Sequence, residues 1–140
     1  MNLPPEAYFH EDTRLLIWRP HGLVNEAAVN KILTVLGELE AKLNEPFNRF
    51  SDTLDADGVE LTFKYVIHVS LYRRFTYANR PPVKSAILAS HTSLIHYSRL
   101  HALITQGSPI KVHVFEDRQE AARWLKVPVE VVTLGAEAAK

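Results

Sequence analysis

Seven histidines and a run of arginines are the residues of this chain best suited to chemistry. His91, His96 and His101 recur every five positions, which on a helix turns His96 and His101 apart by roughly 140°. Two metal ligands on one helix need three- or four-residue steps instead, so these histidines are expected to be structural, on the surface or half-buried, and no metal site is assigned. Arg73, Arg74 and Arg80, with Lys84 close by and Tyr72 and Tyr77 interleaved, can bind a phosphate, a nucleotide or an acidic partner face. The same cations would also suit the C-terminal end of a helix. Asp52, Asp55 and Asp57 alternate like the start of a calcium loop, but no glutamate follows Gly58 where such a loop needs its bidentate ligand, and the stretch reads as a polar turn. There is no Gly-rich phosphate loop among five glycines, and no Gly-x-Ser-x-Gly elbow to present a nucleophile. No catalytic residue and no cofactor is therefore assigned.

The whole chain narrows the classes further. Its 140 residues, 46% of them hydrophobic, suit one domain with one core. Sixteen basic and sixteen acidic residues balance, leaving no global field to attract nucleic acid or an anionic membrane. Cysteine is absent, which excludes disulfides, thiol catalysis and thiolate metal sites. No apolar run reaches the roughly 20 residues of a membrane span, and the opening MNLPPEAYFHEDT has no signal-peptide pattern. The expectation is a soluble, cytoplasmic protein.

The elements that would position these groups can be read in order. Ala7 to His10 and Arg14 to Arg19 are extended runs around the polar turn Glu11-Asp12-Thr13, as in an antiparallel hairpin. Asn25 can cap a first helix, with Val24 and Val29 as its staple and Ile32, Leu36, Leu39 and Leu43 among its apolar stripe. Asn44-Glu45-Pro46 ends it. Phe47 to about Thr53 follows as a strand whose polar content suggests an edge position. Phe63 to about Ala78 fits both periods, but its length and the stripe Phe63, Val66, Ile67, Leu71, Phe75, Ala78 favour a second helix. Val83 to Ser90 is a central strand by its small residues. A third helix runs from a cap at Thr92 or Ser93 to about Thr105, with Gly107 just beyond. Ile110 to Phe115 alternates as a strand. Asp117 and Glu120 then form a capping box for a fourth helix ending before Pro128, and Val129 to Leu134 suggests an edge strand ahead of a frayed tail. The pattern predicts an α/β domain over 1–128, with a mixed sheet of about five strands and four helices joined by right-handed crossovers.

The stretch from Phe115 to Leu125, FEDRQEAARWL, resembles the C-terminal signature of SpoIIAA-like proteins of the STAS-like superfamily, carried here by Phe115, Asp117, Ala121, Trp124 and Leu125. The element order fits the same family from Ala7 to Leu125. The resemblance implies an α/β sandwich related to anti-sigma-factor antagonists, which dock a partner protein and, in regulatory members, are phosphorylated on a serine at a helix start. The Asp-Ser-Ser-Gly phosphorylation motif is missing: the corresponding turn, SDTLDADGVELT, offers Ser51, Thr53 and Thr62 as the available hydroxyls. A non-enzymatic domain follows, docking a regulatory protein through the loop from Ser51 to Thr62 and the exposed side of helix two, with an edge strand or helix two available for pairing with a second copy. The alternative is a carrier or sensor of a small apolar or phosphorylated ligand, held between helices two and three.

Overall fold

A computed structural model describes residues 3–133. The chain opens as the expected hairpin, β1 (Ala7–His10) and β2 (Leu15–Trp18), paired antiparallel with Ala7 opposite Trp18. The turn closes through Arg14 in the left-handed region, at φ 51°. A short strand β3 (Leu23–Asn25) leads into α1 (Glu26–Leu43), where the Asn25 side chain accepts from the Ala28 amide. Asn44 at φ 54° closes that helix. Then come β4 (Asn48–Asp52), β5 (Gly58–Glu60), α2 (Phe63–Thr76), β6 (Val83–Leu88), α3 (Thr92–Thr105), β7 (Ile110–Phe115), α4 (Arg118–Leu125) and α5 (Val129–Thr133).

The main sheet has the order β1-β2-β4-β6-β7, antiparallel at β1 and parallel thereafter. Three crossovers, through α1, α2 and α3, connect its parallel strands. Strand alternation sends Leu15, Ile17, Phe50, Ala86 and Leu88 into one core with Ala121, Ala122 and Leu125 of α4. Leu16 points to the other face, against Ile32, Leu36 and Leu39 of α1. Helices thus cover both faces, with α1 to α3 on one and α4 and α5 on the other.

Four expectations are corrected. β4 is the middle strand of the five, not an edge. Its polar residues are buried in pairs: Arg49 reaches Tyr77 and Glu40, and Asp52 reaches Arg19 and Arg118. Polarity here marks paired burial rather than solvent. Val129 to Thr133 is a short helix, not an edge strand, because Lys126 at φ 61° and Pro128 turn the chain back over the sheet. Its Val131 and Val132 then fill the core beneath α4, so that burial overrides β-propensity. The suggested tail lies outside the described residues. α3 is capped at His91 without a side-chain bond, rather than by Thr92 or Ser93.

The fourth correction is the facing of α2. Of the expected stripe only Val66 is buried, while Phe63, Ile67, Leu71, Phe75 and Ala78 are exposed. The buried side is Val66, Val69, Ser70 and Arg73. A helix apolar on two sides does not select its inner face by hydropathy, and the polar pair Ser70 and Arg73 decides it by bonding to α3.

One element was not foreseen. β3 and β5 form a separate two-stranded parallel sheet, with Val24 opposite Val59. It lies immediately before the starts of α1 and α2 and ties those two ends together.

Candidate functional site

The small sheet, and a bond from the Tyr65 hydroxyl to Asn30 Oδ1 at 2.6 Å, hold α1 and α2 together at their N-terminal ends. Further along, α2 packs on α3 while standing away from α1. The space left between α1, α2 and the sheet is a cavity of about 130 Å3. Val29, Ile32, Leu33 and Leu36 of α1 line one wall at helical spacing, and Val66, Val69 and Arg73 of α2 line the opposite one. Arg49, Phe50, Ser51 and Ser85 from the sheet form the floor, and Leu94, Ser98 and His101 of α3 close the side. A wider hollow of about 450 Å3 adjoins it, bounded by Glu40, Tyr77 and Arg80 and sharing Leu33, Leu36 and Arg73 with it.

Arg73 stands at the junction, 7% exposed. Its Nη1 lies 3.0 Å from His101 Nε2, while Nε and Nη2 have no hydrogen-bond partner among the described residues. The His101 tautomer follows from its other neighbour. The Ser70 hydroxyl donates to the Val66 carbonyl at 2.7 Å, so it accepts from His101 Nδ1–H, also at 2.7 Å. Nε2 is left as the acceptor for Arg73. Burial, reinforced by the Arg73 charge, pulls His101 down to about 3, which keeps it neutral. Burial and the neighbouring Arg49 likewise pull Arg73 down to about 10.

Glu40 is the carboxylate of this region, and others occupy it. Tyr77 donates to it, Arg49 Nη2 lies at 3.3 Å and Arg80 Nη1 at 3.7 Å. Arg49 also donates to the Tyr77 hydroxyl, whose ionisation burial pushes up, so the phenol stays a donor to Glu40. Two guanidinium groups therefore share one carboxylate, a local excess of positive charge in a chain whose net charge is zero.

The residues singled out from the sequence are dispersed. Arg73 is buried at the cavity, Arg74 donates to the Ile104 and Gln106 carbonyls at the end of α3, and Arg80 is half exposed beside Glu40. Lys84 lies on the opposite face of the sheet, where its Nζ donates to the Trp124 carbonyl at 2.7 Å and sits over the indole. Only Arg73 and Arg80 share a hollow. Ser51 is half-buried in β4 at the cavity floor, and Thr53 is buried with its hydroxyl donating to the Leu88 carbonyl. Thr62 is exposed and caps α2, accepting from the Tyr65 amide. Asp52 is no loop ligand: 1% exposed, it takes Arg19 Nε at 2.9 Å and Arg118 Nη1 at 2.6 Å. Among the described residues no three His, Asp or Glu side chains gather as a metal site, and no helix is long and apolar enough to cross a membrane. Arg49 and His101 were missed as site residues, and Tyr77 was named only as interleaved with the basic cluster. An arginine within a strand was the one available signal for Arg49, and a fivefold histidine spacing gave none for His101.

A five-stranded mixed sheet with helices on both faces and three crossovers on one of them defines the class as the SpoIIAA-like fold. A solved structure shares it: an uncharacterised protein of the DUF3478 family with a SpoIIAA-like fold from Shewanella loihica PV-4 superimposes with a TM-score of 0.54 at 17% identity, over 85% of this chain and 90% of that one. No family model and no curated protein matches the chain.

Proposed function

We propose that the domain works by binding rather than catalysis, and that it holds a small apolar ligand in the cavity between α1, α2 and the sheet. The supporting observation is the cavity itself, walled by aliphatic side chains from two helices that the fold ties together at their N-terminal ends and, beyond the cavity, through Tyr77 and Glu40. The proposed seat is between α1 and α2, with α3 closing its side, rather than between α2 and α3, which pack on each other. Its volume of about 130 Å3 is close to that of an engineered aliphatic cavity in another protein, roughly 150 Å3, which stays dry and takes up benzene. A ring or a short branched chain fits, and the adjoining hollow offers a way in. Titrating the protein with benzyl alcohol while following methyl resonances tests this. Shifts confined to Val66, Val69, Ile32 and Leu33 are expected, and their absence at saturating probe would overturn the reading.

A second reading rests on the outer side of α2, where Phe63, Ile67, Leu71, Tyr72 and Phe75 are exposed together. Contiguous apolar surface of this kind marks docking faces. The helix that walls the cavity would then also present its other side to a regulatory protein or to a second copy. Sedimentation of the wild type and Phe75→Glu distinguishes the two occupants: a dimer lost in the variant means self-association, and a monomer throughout leaves the face to a different protein.

A further inference from the structure

We propose that the ligand is an organic acid whose carboxylate is held by Arg73 while its apolar body fills the cavity. The inference rests on the cavity reading above and specifies its chemistry. The cavity lining is largely apolar, and its border with the wider hollow carries the buried Arg73 guanidinium, whose Nε and Nη2 have no hydrogen-bond partner among the described residues. These two form the side edge of the guanidinium fork, the edge that meets both oxygens of a carboxylate in parallel bonds. Arg49 Nε, also lining the cavity, is a third buried donor without a partner among the described residues.

The surrounding charges leave this role open to an external anion. Glu40 is shared by Arg49, Arg80 and the Tyr77 hydroxyl, and it attracts Arg73 without a hydrogen bond or ion pair to it among the described residues. His101 can only accept from Arg73, because its Nδ1–H is committed to Ser70. A buried cation hydrogen-bonded at one nitrogen by a neutral imidazole, with the Tyr77 ring 5.9 Å from its centre and Glu40 near enough to attract it, is only partly compensated until an anion joins it. An inorganic phosphate would match the charge but leave the aliphatic walls unused. A carboxylate on a ring or short chain matches both.

The test compares benzoate, benzyl alcohol and inorganic phosphate by calorimetry and by the Arg73 Nε–H resonance. Wild type is expected to bind benzoate at least tenfold more tightly than benzyl alcohol, with a shift of the Arg73 Nε–H signal. Arg73→Met is expected to lose that preference while still binding benzyl alcohol. Should that variant fail to fold, Arg73→Lys keeps the charge without the fork, and a reduced preference is expected there too. Equal binding of benzoate and benzyl alcohol by wild type overturns the acid assignment and leaves the cavity reading standing. Phosphate displacing benzoate at equal affinity also overturns it, in favour of a simple anion site. If neither organic probe binds, both readings fall.

Discussion

At the scale of single residues, the informative groups are those whose burial contradicts their chemistry. Arg73 was legible as a cation on a helix, but its position under the helix was not, since it depends on Ser70 and His101 meeting across 31 residues of sequence. His101 carries a consequence for pH. Its folded value of about 3 lies below the 6.5 of an unperturbed histidine, so between those values the unfolded chain binds one more proton than the folded one. The stability that goes with keeping it neutral is complete above pH 6.5. It falls as the pH drops toward 3, by about 1.4 kcal/mol per pH unit at the steepest. Urea denaturation from pH 7 to 4 should therefore give a slope in His101→Gln that is shallower than in wild type by about one proton. Identical slopes would mean that His101 is not held neutral.

At the scale of elements, α2 shows where periodicity stops being enough. Its exposed positions Phe63, Ile67, Leu71 and Phe75 follow four-residue steps as cleanly as a core stripe does, yet Phe75 is 74% exposed and Val69 is buried. Val69→Ala should cost about 1 to 2 kcal/mol, at the low end for a buried aliphatic truncation because the side chain already borders a cavity. Phe75→Glu should change stability by less than about 0.5 kcal/mol. Thermal melts of the two variants check the assignment, and a reversed order would place the stripe inward after all. β4 teaches the complementary lesson. Arg49 and Asp52 look like edge-strand polarity, and only their partners from Glu40, Tyr77, Arg19 and Arg118 make a central position tenable.

At the scale of the whole molecule, Asp52 joins parts that are far apart in the chain. It receives Arg19 from the end of β2 and Arg118 from the start of α4, and both arginines also donate to the Val132 carbonyl of α5. One carboxylate thereby locks the sheet to both helices of its second face. Asp52→Ala should destabilise the fold by about 3 to 5 kcal/mol, because it strands Arg19 as a buried charge without its carboxylate. Chemical denaturation measures this, and a loss under about 1 kcal/mol would show that the cluster is better solvated than its burial indicates.

By itself the sequence determined the order and type of most of the elements, all but β3, β5 and α5. Their caps, breakers and periods are local signals: Asn25 and Asp117 accept from their helix amides, Pro46 and Pro128 interrupt, and Ile110 to Phe115 alternates. It also pointed to the SpoIIAA-like fold through the stretch from Phe115 to Leu125, whose residues pack or cap. Only the tertiary structure decided which strand is central, which side of α2 is inward, that β3 pairs with β5, and that Val129 to Thr133 is helical. Each of these depends on a partner distant in sequence, and the energy of pairing a buried charge or covering an apolar face is absent from any local window. The same reason hid the cavity, which lies between α1 and α2 where they are tied by β3 and β5 at one end and by Tyr77 and Glu40 near the other.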